Sequence, residues 1–99
     1  MTRRAIHPGE ILAGELADMG LNGAALAAAI HVPANRIYQL LNGKRALTAD
    51  TALRLSAFFG TSAEFWLNLQ KIYELRVAEK ELRAARIPRI VPYMAEERV

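Results

Sequence analysis

Asn22-Gly-Ala-Ala-Leu-Ala-Ala-Ala-Ile-His-Val-Pro-Ala-Asn-Arg-Ile-Tyr-Gln-Leu-Leu-Asn-Gly-Lys-Arg45 reads as two short helices joined by a tight turn. Asn22 suits the N-cap, where its side-chain oxygen accepts from an early helical N–H that otherwise lacks a partner. Leu26, Ala27 and Ile30 then share one face. Ala27 is small where two crossing helices approach. His31, Val32 and Pro33 break the helix. Pro33 cannot continue it and pre-sets the first turn of the next. The second helix is expected from about Ala34 to Asn42, with Ile37, Leu40 and Leu41 pointing into a core. Gly43 is placed to end it, and Lys44 and Arg45 follow at once.

The outer face left by this arrangement carries Ala34, Asn35, Arg36, Tyr38 and Gln39. Asn and Gln pair bidentately with adenine edges in the major groove, Arg with guanine, and an Ala methyl meets a thymine methyl. Asn35 and Gln39 are therefore the expected base readers. Ala34 and Tyr38 add apolar or shape contacts, and Arg36 suits either a base or a phosphate. Asn22 (through the N–H groups of its helix start), Asn42, Lys44 and Arg45 are the expected phosphate ligands, which set register without reading sequence. One polar residue on a surface helix would mean nothing. Cap, small crossing residue, turn and basic exit together indicate a helix-turn-helix.

The rest of the chain supports a small helical protein. With 99 residues there is room for one domain. Apolar residues make up 53%, cysteine is absent, and the two histidines, His7 and His31, lie far apart. No disulfide framework or metal site is expected. No apolar run approaches a membrane span, and no apolar signal region follows the N-terminal charges, so a soluble cytoplasmic protein is expected. The net charge of +3 is compatible with nucleic acid. No nucleophile elbow, phosphate loop or carboxylate pair is present; neither enzymatic activity nor a cofactor is expected.

In chain order, Arg3 and Arg4 form either a basic arm toward DNA or a solvated terminus. Helix 1 should start at Pro8, with Glu10 in its first turn and Leu12, Leu16 and Met19 as its buried stripe, and stop at Gly20. Leu21 should anchor in the core. Ala46 and Leu47 form a linker. Thr48 caps helix 4, whose buried stripe is Ala52, Leu55 and Phe59. Arg54 is expected on the exposed side, in water or near a DNA backbone. Gly60 ends that helix. Thr61-Ser62-Ala63-Glu64 is a capping box opening a long helix 5 that continues to about Arg83.

Helix 5 bears two overlapping apolar stripes, more than a small core needs. Phe65 and Leu69 are expected to close the core. Trp66, Tyr73 and Val77 are the candidate dimer interface. Residues 84–99 form a tail outside a domain spanning 1–83. Within it, Ile87-Pro-Arg-Ile-Val-Pro-Tyr93 reads as extended. It either adds a strand or partner contact, or is disordered.

Three motifs in order carry a resemblance to the HigA/VapI-type antitoxins of the phage-repressor (Xre/Cro) superfamily. They are His7-Pro-Gly-Glu-Ile-Leu12, the helix-turn-helix running through Asn42-Gly-Lys-Arg-Ala-Leu-Thr-Ala-Asp-Thr-Ala-Leu-Arg-Leu55, and Phe59-Gly-Thr-Ser-Ala-Glu-Phe-Trp-Leu-Asn-Leu-Gln70. The resemblance covers roughly Ile6 to Tyr73. It implies an all-α, five-helix, phage-repressor-like domain with a long last helix and an extended tail. It also implies a DNA-binding autorepressor acting as a homodimer on a palindromic operator, and neutralisation of a protein toxin, commonly an mRNA-cleaving RelE-like one. Three positions depart from the family. Gly23 stands where many relatives carry a phosphate-gripping Gln, His31 stands in place of the usual turn Gly, and Ala34 offers only a methyl. A repressor without a toxin partner, and an interaction module whose DNA face has decayed, are the alternative readings.

Overall fold

The computed structural model describes residues 4–94. Arg3 of the proposed basic arm and the acidic Glu96-Glu97-Arg98 end lie outside the described residues. The helices are α1 (Pro8–Met19), α2 (Gly23–Ile30), α3 (Ala34–Leu41), α4 (Ala49–Phe59) and α5 (Ala63–Ala85). No strand occurs among the described residues, in keeping with the all-α expectation.

The start of α1 explains the His-Pro-Gly-Glu sequence. His7 Nδ1 accepts from the Gly9 N–H at 2.9 Å, and the Glu10 carboxylate accepts from the His7 N–H at 3.1 Å. An imidazole thus takes the capping role usually filled by Ser or Thr. The His7 ring is buried and packs edge-on against the Tyr73 ring, with the two ring centroids 4.8 Å apart. Gly9 sits where a Cβ would collide with the Leu40 carbonyl oxygen at the end of α3. The motif therefore caps one helix and docks it on two others. The His7 N–H bond, then the Arg4 guanidinium 3.1 Å away, holds the Glu10 carboxyl below the ordinary carboxylate value.

The core gathers Leu12 and Leu16 of α1, Leu26, Ala27 and Ile30 of α2, Ile37 and Leu40 of α3, Ala52 and Leu55 of α4, and Trp66 of α5. Met19 does not join them and is 49% exposed. Gly20 turns the chain with φ 68°, and the Leu21 N–H returns to the Leu16 carbonyl at 2.9 Å, so Leu21 packs on the core in its place. Leu47, expected only as linker, is buried. Its N–H donates to Gln70 Oε1 at 2.9 Å, and Gln70 Nε2 donates to Glu74 at 2.8 Å. The buried amide thus satisfies a backbone donor that no helix serves.

Helix α5 corrects three expectations. Its N-cap is Ser62, accepting from the Phe65 N–H at 3.1 Å, one residue beyond the anticipated Thr61. Thr61 is thereby free to accept from the Trp66 indole N–H at 2.9 Å. Trp66 is 1% exposed and belongs to the protomer core, so it has no surface to give a partner. Phe65, expected inside, is 43% exposed. The helix is rotated by about one residue from the expected placement. Trp66, Gln70, Tyr73 and Val77 share the inward side, whereas Phe65, Ile72, Leu75 and Leu82, spaced seven, three and seven, share an exposed one. Tyr73 and Val77 are half-buried, and they line a shallow groove against Arg4 and Ala5. The helix extends to Ala85, slightly past Arg83, and every described residue from Ala78 to Met94 is exposed.

Candidate nucleic-acid interface

Helices α2 and α3 pack against each other through Ala27, Ile30 and Ile37. Asn22 Oδ1 accepts from the Ala25 N–H at 2.8 Å. The cap occupies that side chain, so any phosphate at this end meets the first-turn N–H groups instead. The turn residue His31 takes the left-handed conformation, φ 61° and ψ 48°, and the Val32 N–H closes on the Ala27 carbonyl at 3.0 Å. His adopts that conformation more readily than most residues.

Gly23 has a second consequence besides the missing Gln. It is buried, and a Cβ there would lie 3.0 Å from Tyr38 Cε1 and 3.3 Å from Leu41 Cδ1. The Tyr38 ring of α3 therefore lies over the start of α2, in space that a side chain at position 23 would claim. Tyr38 remains 44% exposed.

Along α3, Ala34, Asn35 and Tyr38 are exposed, Gln39 is half-buried, and Asn42, Lys44 and Arg45 are exposed just beyond the helix. Gly43, with φ 71°, reverses the chain, and the Lys44 N–H reaches the Gln39 carbonyl at 2.9 Å. That reversal brings Arg45 back over α3, where its Nε donates to Gln39 Oε1 at 3.1 Å.

Arg36 stands apart from this group. Its guanidinium lies 2.9 Å from Asp50 at the start of α4. Asp50 also accepts from Arg54 Nε at 3.0 Å. Arg54 in turn donates to the Ile30 carbonyl at 2.8 Å and the His31 carbonyl at 3.3 Å. One carboxylate and two guanidiniums thus tie α3, α4 and the C-terminal end of α2 together. A cation at that end also complements the helix dipole. Arg54, then Arg36, holds the Asp50 carboxyl below its ordinary range. The expectation that Arg54 lies in water or along DNA is corrected: it braces the turn. The i, i+4 spacing of Asp50 and Arg54 was legible; the reach to carbonyls 23 and 24 residues away was not.

Among the described residues no group of His, Cys, Asp or Glu side chains is placed to hold a metal, and no helix is long and apolar enough to cross a membrane. Five helices, with α3 held outward by α2 and followed by Lys and Arg, define a phage-repressor-like DNA-binding protein. A helix-turn-helix family model matches residues 15–66. Virulence-associated protein I of Dichelobacter nodosus is 47% identical over 95 residues, or 95% of this chain and 86% of that protein. An addiction module antidote protein of the HigA family from Coxiella burnetii superposes with a TM-score of 0.87 at 48% identity, covering 92% of this chain and all of that one. The Pseudomonas aeruginosa antitoxin HigA, solved with the higBA promoter, superposes with a TM-score of 0.85 at 40% identity over the same shares. The chain belongs to the helix-turn-helix family and, within it, to the HigA-type antitoxins, which are DNA-binding proteins and not enzymes.

Proposed function

We propose that this chain is the antitoxin and autorepressor of a toxin–antitoxin operon. In this reading it acts in the cytoplasm as a homodimer whose two α3 helices read a palindromic operator one helical turn apart. The observation that carries the reading is the exposed outer face of α3. In this reading Asn35 and Gln39 read base edges, Ala34 and Tyr38 make shape and methyl contacts, and Asn42, Lys44 and Arg45 hold phosphates; the exposure of all of them but the half-buried Gln39 supports it. Arg36 serves from its pairing with Asp50, by fixing α3 to α4. A relative of 40% identity was solved with promoter DNA, which supports the same use of this face here. The toxin partner is taken to be an mRNA-cleaving protein of the RelE-like class, as the family implies.

Two arms test the proposal. A reporter driven by the DNA upstream of this chain's own start codon should be repressed by the wild type. Substitution Asn35→Ala should release it. Co-expression with the product of the neighbouring gene should restore growth, and the two proteins should co-purify. An unrepressed reporter removes the autorepressor. Failure of both rescue and co-purification removes the antitoxin.

A further inference from the structure

The geometry points to Arg45 as a specificity-determining residue that sets the base preference of Gln39, turning it from an adenine reader into part of a guanine reader. The inference deepens the operator-reading role proposed for α3 and rests on it.

A free glutamine amide offers one acceptor and one donor group, which match the N6 amino and N7 of adenine. Its two ends differ by a rotation, and nothing intrinsic selects one. Here the choice is made by chemistry. Arginine has only donors, so the Gln39 atom 3.1 Å from Arg45 Nε must be the oxygen. The amide nitrogen is left as the end available to a base. Arg45 keeps its terminal N–H groups beside it. The contact is set by backbone: Gly43 at φ 71° and the Lys44 N–H on the Gln39 carbonyl fold the chain so that residue 45 returns over residue 39.

The combined surface presents donors only. Guanine offers two adjacent acceptors in the major groove, O6 and N7. Adenine would set its N6 amino group against these donors and leave it unpaired. The pair should therefore choose guanine, while Asn35, whose amide has no such neighbour among its described hydrogen bonds, retains the ordinary adenine choice.

The test is binding-site selection from a random duplex library with the full chain, followed by anisotropy on duplexes carrying each of the four bases at the position controlled by residue 39. That position is identified as the one whose preference is lost in Gln39→Ala. Wild type should prefer guanine over adenine there by about tenfold. Arg45→Ala weakens binding generally, so the ratio is what counts. The ratio should fall to parity or reverse toward adenine, and Arg45→Lys, which keeps a donor, should restore part of it. An adenine preference in the wild type overturns the inference. So does a guanine preference that Arg45→Ala leaves intact, although Gln39 then still reads the base. If Gln39→Ala changes no preference at any position, the reading role of Gln39 itself is overturned. Arg45 is exposed, so its variants are expected to fold.

Discussion

His31 shows how much a single backbone position weighs. It is one of two non-glycine residues with positive φ among the described residues, and it sits in the turn on which α2 and α3 pivot. A left-handed conformation costs an L-residue roughly 1–2 kcal/mol, less for His, and glycine returns part of any gain as chain entropy. His31→Gly should therefore raise stability by about 0.5–1 kcal/mol, measured by urea unfolding, with operator affinity unchanged. The carbonyl that Arg54 uses is backbone and survives the substitution. Asp50 is the acid-sensitive residue of the same brace. Its carboxyl ionises below the ordinary value because Arg54 and Arg36 face it. Between the lowered and the ordinary value the unfolded chain binds more protons than the folded one, so stability rises with pH through that window. The contribution is complete from about pH 5 upward, where the unfolded aspartate is also ionised, and is lost as pH falls through the lowered value. Asp50→Asn should flatten that part of the acid-unfolding curve. At this scale local conformation was legible, since Asn22, His31, Gly43 and Gly60 behave as their chemistry dictates. The brace was not, because its partners are distant in sequence.

Helix boundaries were legible for a related reason. Caps and breakers are local, and the start of α1 at Pro8 and the stop at Gly60 follow from them. The facing of α5 was not. Its two apolar stripes overlap, and the side that turns inward is settled by a buried glutamine. Gln70 looks solvent-facing in sequence, yet it is 7% exposed because the linker N–H of Leu47 needs an acceptor. Once Gln70 is inside, Trp66 and Tyr73 follow and Phe65 turns out. The α1–α3 junction makes a sharper prediction. Gly9→Ala introduces a methyl against the Leu40 carbonyl, which is backbone and cannot swing aside. The cost should be about 1–3 kcal/mol or more, seen as a lower midpoint in thermal unfolding. Gly14→Ala in the same helix meets open space and should stabilise.

Taken whole, the molecule is elongated, 58 × 30 × 22 Å, because α5 runs on beyond the part that the core covers. Its outward stripe of Ile72, Leu75 and Leu82, each 50–54% exposed, has no cover within the described protomer. The prediction for the proposed dimer is that this stripe, more exposed than the half-buried Tyr73 and Val77 expected from the sequence, forms the contact. Leu75→Glu should leave the protomer's helical circular-dichroism spectrum intact and shift the mass measured by light scattering toward the monomer. The operator's salt dependence should then fall toward half, since each protomer brings its own phosphate ligands. The central claim remains that the α3 face reads a particular DNA. It is tested most directly by fluorescence anisotropy on the duplex upstream of the chain's own start codon against a scrambled duplex of equal length, over a salt series around 150 mM. A preference of about 10³-fold or more is predicted. Equal, weak and steeply salt-dependent binding to both duplexes would contradict the account.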